Sequence, residues 1–495
     1  MHITPLLPED ELLTLPILAL PGTAGNEEVR YTALQNLMLP YSDAIHLVWW
    51  ALLVATLGFL IVRYLLWARL ADNTLPAAPE PQPPMHRSGI LGIYYRVFSI
   101  GEIDRDPLLR WAGGAILLGF LASFSQWQTN PQIAGYGNLC WPFFQQCRDW
   151  IFLEGLPASY MQMIFFMGLF TLIITAAYAL ATRRTVLAHG FIILLYIAKA
   201  YFTLINFKFN GNYDYYHTVF GIVFLLLPHK RFFISLSIVM LYTLSTVAKI
   251  HPSWTFGLYF TPLAPGTPIF PNAIVPLMTN LVIFMEMIMA WFLFSRRVWL
   301  QRSVFAFFCL FHLYSGMMVD YHYPTIVMPM LIICFGGMFR PFPHVPRDRA
   351  SLPGWLLMAV LWSLQLIQLT IPGDAKLTLE GNFYGLYMFE ANHQCQVTIT
   401  NADGVLLEQE ASTRARSRCN PWSYLSRAQY RYCHLDPRPV LRFSMIHSIN
   451  GGPFYKIIDE PDLCGLTYHP FKRNLWIKDA TSAPAVARPL KNFYY

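Results

Sequence analysis

Charge is scarce in this chain. Of its 495 residues only 13% are Asp, Glu, Lys or Arg, against roughly 25% in an ordinary soluble domain. That scarcity excludes a water-soluble globular chain. The formal net charge of +7 needs no nucleic-acid partner, because basic loops at a membrane surface account for it. No HExxH, GxSxG, Walker or GxGxxG arrangement occurs, so the usual signatures of zinc hydrolysis, serine acylation, nucleotide hydrolysis and dinucleotide binding are missing. The first residues, MHITPLLPEDELLTLPILAL, have no basic leader and are broken by prolines, which makes them a poor signal peptide. No internal repeat is visible.

What the chain does have is apolar length. It is 55% hydrophobic and 16% aromatic, with a mean hydropathy of +0.39. Several apolar runs approach the roughly 20 residues needed to cross a bilayer. The reading is an all-α polytopic membrane bundle of about nine or ten transmembrane helices, followed by a small external β-rich domain. Residues 1–87 hold an N-terminal segment, a first span near Ile45 to Leu66 and a proline-rich linker near Pro76 to His86. Residues 88–372 form the multi-helix membrane domain, opening on a surface amphipathic helix from Gly89 to Ile103. Spans follow near Leu108–Phe124, Tyr160–Ala181 and Leu187–Ile205, then the hairpin of the FKFNGNYDYYHTVFGIVFLLLPHKRFFISLSIVMLYTLSTVAKIHPSW stretch. Further spans lie near Ala273–Phe294, Val304–Val319, Ile326–Met338 and Trp355–Ile371.

The basic stops fall on alternate loops. Arg63/Arg69, Arg183/Arg184, Lys230/Arg231, Arg296/Arg297/Arg302 and Arg340/Arg347/Arg349 all become cytoplasmic in one orientation. That orientation puts the tail, residues 373–495, outside, in a periplasm or an ER lumen. In the tail, Val397, Ile399 and Leu406 alternate with polar neighbours around Asn401-Ala402-Asp403-Gly404, and Val440 to Ile449 runs into Asn450-Gly451-Gly452; both read as hairpins. Cys395, Cys419, Cys433 and Cys464 lie there, where disulfides can form, and four cysteines allow three pairings. A zinc site is the alternative, although no CxxC pair supports it. Cys140 and Cys147 suit a further bridge, while Cys309 and Cys334 read as packing residues within spans.

Two ionisable residues stand out. Lys249 ends the second hairpin helix. It is either a lysine reaching for the interface or a desolvated lysine able to act as a base. His217 begins the first hairpin helix on the same side, as a loop-bonded histidine or as a donor to a developing oxyanion. His312 reads as a packing residue, and Tyr314, Asp320, His322 and Tyr323 lie near the same span. Asp214, His217 and His322 lack ligand spacing, so no metal is expected. His189 and Lys199 are polar groups in a span with no assigned role.

AKIHPSWTFG (248–257), GNYDYYHTVFGI (211–222) and FHLYSGMMVDYHYP (311–324), by their motifs and by their order and intervals along the chain, resemble segments of the vitamin K-dependent gamma-glutamyl carboxylases and their bacterial HTTM-domain relatives. The first carries the lysine-x4-tryptophan-x-x-glycine pattern at Lys249, Trp254 and Gly257. The likeness covers about residues 88–345. It implies that Lys249 is a base that deprotonates reduced vitamin K or another quinol, with O2 and CO2 as co-reactants. It also implies that His217 is an electrostatic partner and that an exported peptide or protein is modified at the outer face. The expected protein is therefore a membrane enzyme of the bacterial inner membrane or the ER, possessing a lipid-like cofactor between its helices. The alternative is a non-enzymatic assembly or lipid-binding factor whose external domain docks a partner.

Overall fold

The structure is a computed structural model. It describes residues 33–71, 89–128, 139–151, 158–207, 211–260, 269–318, 321–336, 345–387, 391–412 and 418–487. The leader region, the proline-rich linker, Asn210, Asp320, most of the LAPGTPIFP connection and residues 340–344 of RPFPHVPRDRA lie outside the described residues.

Each apolar run read as a span forms a helix. In chain order these are α1 (Ser42–Ala71), the short α2 (Ile90–Val97) and α3 (Ile100–Arg105), α4 (Pro107–Trp127), α5 (Ala158–Ala181), α6 (Thr185–Ile205), α7 (Asn212–Leu226), α8 (Lys230–Lys249), α9 (Val275–Met287), α10 (Val298–Met318), α11 (His322–Leu331) and α12 (Leu352–Leu366). Among the described residues six helices are long and apolar enough to cross a membrane. The helices α7, α9 and α11 are shorter. The surface helix expected over Gly89 to Ile103 is split in two, because Ser99 takes a left-handed conformation (φ 50°) between α2 and α3.

The bundle is built around α8. All its residues except Arg231 are buried. A helix buried on every side must satisfy its own polar side chains, and α8 does so locally. The hydroxyls of Ser237, Thr243 and Thr246 donate to carbonyls three or four residues back, the usual solution in a dry bundle. The start of α8 and the Arg183/Arg184 turn lie at one end of the bundle. Its last turn, the start of α7 and the end of α6 lie at the other, under the C-terminal domain.

That domain is a five-stranded antiparallel sheet in the order β2-β1-β3-β4-β5. Its strands are β1 (His393–Asn401), β2 (Leu406–Ser412), β3 (Leu441–Ile449), β4 (Phe454–Glu460) and β5 (Ala485–Val486). The two sequence-read turns close β1–β2 and β3–β4. A further helix, α13 (Pro421–Tyr432), packs on the sheet. Disulfides join Cys140 to Cys147, Cys395 to Cys419 and Cys433 to Cys464, while Cys309 and Cys334 are free. The domain sits firmly on the bundle. The Trp422 indole donates to the Cys140 carbonyl at 2.8 Å, Asn212 donates to the Tyr387 carbonyl at 2.9 Å, and Phe207 packs edge-on against Phe383.

Candidate functional site

Two buried ion pairs cross the half of the bundle nearest the sheet. The first joins Lys249, in the last turn of α8, to Glu286 of α9. Each is about 2% exposed, so Lys249 does not reach the surface as an interfacial anchor would. Glu286 also accepts from the Ser245 hydroxyl at 2.7 Å, and Lys249 Nζ lies 3.3 Å from Ser245 Oγ and 5.2 Å from the Trp254 ring centre. Ser245 is one turn before Lys249, so the i, i+4 spacing aims both at the same carboxylate. The outer wall of this pair is closed by Leu53 of α1 together with Val247, Ile250, Trp254 and Met287.

Beside the pair lies an aromatic group. Tyr242 and Nε2 of His312 are 2.5 Å apart, and His312 Nδ1 has no partner among the described residues. Tyr216 and Tyr323 stack edge-on at 5.2 Å, and His312 and Tyr323 lie 5.3 Å apart. The Tyr216 and Tyr323 hydroxyls face each other and have no other hydrogen-bond partner among the described residues. Glu286 is within electrostatic reach of Tyr216, Tyr242 and Tyr323, and Lys249 of His312. Buried polar atoms without partners are rare in native interiors, and each one calls for an explanation.

The second pair joins Lys199 of α6 to Asp214 of α7 at 2.6 Å, both within 2% of full burial. Ser123 donates to Asp214 at 2.8 Å, and Lys199 Nζ lies 2.8 Å from His217 Nδ1. The opposite nitrogen, His217 Nε2, lies 2.8 Å from the Ile116 carbonyl. Since a carbonyl only accepts, Nε2 carries the proton and Nδ1 accepts from Lys199. The structure therefore does not bring His217 into contact with Lys249. Both ring nitrogens are engaged, and the partner of His217 is Lys199, a residue to which sequence reasoning gave no role. Glu286, the partner of Lys249, was also missed. Its signal was present: it is the one acidic residue in the apolar run 273–294, and an acid inside a span needs a partner.

Past the end of α8, the chain turns through His251 into the one-turn helix Pro252–Thr255. His251, Ser253, Asp374 and Asn450 line a cleft of about 250 Å3 between this turn and the sheet. His251 Nε2 lies 3.5 Å from Asp374. Burial opposes ionisation of Asp374, but the His251 imidazole and the backbone N–H groups of Lys376 and Leu377 outweigh it and hold its carboxyl below the usual range. Deeper in the domain His393 Nδ1 and His447 Nε2 are 3.0 Å apart. Burial, with the His447 ring and the charges of Arg418 and Lys376, pushes His393 well down; burial lowers His447 to about 4.

Comparisons with family models, curated proteins and solved structures gave no match.

Proposed function

We propose that this chain is a membrane enzyme in which Lys249 and Glu286 move a proton for a cofactor or substrate held between the helices, at the end of the bundle facing the β-rich domain. The observation that carries this reading is the buried Lys249–Glu286 pair set beside His312 Nδ1, which has no partner among the described residues, and the Tyr216 and Tyr323 hydroxyls, which have no partner there but each other. A purely structural ion pair needs no such neighbours. A bound molecule with oxygen atoms would give all three a partner.

A quinol-type cofactor fits that donor set. Tyr216, Tyr323 and His312 would hold its oxygens. When bound, it would supply redox chemistry with O2. Glu286 is placed to keep the Lys249 Nζ proton in exchange with a neighbouring oxygen, Ser245 holds the carboxylate in register, and the aromatic shell excludes water. The cleft at His251 and Asp374 offers a route for an exported peptide or protein. Lys199, Asp214 and His217 would then brace α6 and α7 around the site rather than act in it. The outward sidedness of the domain is part of the proposal. It is supported by three disulfides, which favour an oxidising compartment, and by Arg183, Arg184, Lys230 and Arg231 at the opposite end.

One observation favours a second reading. Lys249 is fully partnered, as a structural anchor would be. In that case the chain is a non-enzymatic assembly or lipid-binding factor. Mass spectrometry of membrane and exported proteins from cells expressing wild type or Lys249→Arg separates the two. The enzyme reading expects a modified exported peptide only with wild type, at equal protein level. Identical peptide masses in both would favour the assembly factor.

A further inference from the structure

At the bundle end away from the sheet, α2 lies across the start of α6. The Tyr94 hydroxyl and His189 Nδ1 are 2.6 Å apart, and Tyr94 and Phe98 both pack on the His189 ring. Between the two helices opens a groove of about 710 Å3, within the roughly 300–1,000 Å3 range of ligand sites. Ile90, Leu91, Phe191 and Leu194 form its walls, and Arg183 and Arg184 stand at its mouth.

The charges there are lopsided. Asp104 accepts from Tyr95 at 2.6 Å and from Thr185 at 2.5 Å, one bond to each oxygen. Glu102 accepts from the backbone N–H groups of His229 and Lys230, both at 2.8 Å. Asp106 caps α4 and lies 3.6 Å from Arg231. The nearby carboxylates are thus spent on holding the fold. Arg183 and Arg184 are exposed and carry no ion pair among the described residues. Arginine presents a planar fork of donors that matches phosphate, and basic pockets between transmembrane helices suit anionic headgroups.

We propose that this groove is a specific site for one anionic phospholipid, its phosphate on Arg183 and Arg184 and an acyl chain along Ile90, Leu91, Phe191 and Leu194. The apolar walls running on from the arginines select a lipid over a free anion. This site is independent of the Lys249 reading.

The test uses the full chain in nanodiscs of equal phosphatidylglycerol and phosphatidylcholine, with retained lipid identified by native mass spectrometry. Wild type is expected to keep one phosphatidylglycerol in preference to phosphatidylcholine. At about 1 kcal/mol per basic residue near the surface, Arg183→Gln/Arg184→Gln should cut that preference roughly thirty-fold. A Cβ at Gly190, which lines the groove, would meet nothing within 4 Å. Gly190→Leu should therefore fold normally, fill the groove and lose the retained lipid with both arginines intact. Equal retention of the two lipids by wild type, an unchanged preference in the arginine variant, or full retention in folded Gly190→Leu would each overturn the proposal. So would complete displacement of the lipid by inorganic phosphate.

Discussion

Removing Glu286 is the most informative perturbation of the bundle. Glu286→Ala leaves the Lys249 ammonium, among the described residues, with one hydrogen-bond partner, Ser245 Oγ at 3.3 Å, and the Trp254 ring at 5.2 Å. Breaking one side of a buried ion pair typically costs about 3–5 kcal/mol. A ceiling of similar size comes from neutralising the stranded group: at pH 7, deprotonating a free lysine costs about 5 kcal/mol and protonating a free glutamate about 4 kcal/mol. Lys249→Met should therefore destabilise by a similar amount. The double variant Lys249→Met/Glu286→Leu should recover most of the loss, because two apolar side chains replace two charges. The assay is unfolding in detergent, followed by tryptophan fluorescence, for wild type, both single variants and the double. A coupling of several kcal/mol is expected. Additive losses, with a coupling under about 1 kcal/mol, would refute the electrostatic reasoning.

Three further outcomes follow from other parts of the molecule. His393 and His447 of the C-terminal domain are both depressed by burial, so the unfolded chain binds their protons first as pH falls; His447 alone, lowered to about 4, should remove about 3 kcal/mol of domain stability between pH ~6.5 and ~4 and nothing above that window, which a pH series of melting curves checks against His447→Gln. A Cβ at Gly119 would stand 2.6 Å from His217 Nε2, so Gly119→Ala should push α4 off the Lys199–Asp214–His217 cluster and cost about 1–3 kcal/mol; wild-type stability in that variant would contradict the close approach. Loss of the Cys395–Cys419 bridge in Cys395→Ser/Cys419→Ser should cost about 2–5 kcal/mol, and unchanged melting of the tail would show that the bridge is dispensable.

The helices were legible because bilayer crossing demands long apolar runs. The hairpins were legible because Asn401–Gly404 and Asn450–Gly452 carry turn chemistry. The helix α13 was not anticipated, although Asn420 caps it by accepting from the Trp422 N–H and Pro421 opens it, both standard start signals. The Cys140–Cys147 bridge was legible, but the pairing of the four tail cysteines and the ion-pair partners lay beyond the sequence for a shared reason. They depend on which helix or strand faces which, and α8, buried on nearly all sides, meets protein all round, so its polar positions do not say which helix stands opposite them. Hence Lys249, His217, Lys199 and Glu286 were each visible as ionisable residues in or beside apolar runs, while which of them pairs with which could not be read.

In the proposed function Lys249 moves a proton for a bound quinol-type cofactor. Its most direct test is the O2-dependent oxidation of a reduced vitamin K by the protein in nanodiscs, comparing wild type with Lys249→Arg at equal folded amounts. Arginine keeps the charge but effectively never releases its proton. The account predicts turnover in wild type and none in Lys249→Arg, with quinol binding retained in both. Equal turnover in the two proteins, or no quinol binding by wild type, would contradict it.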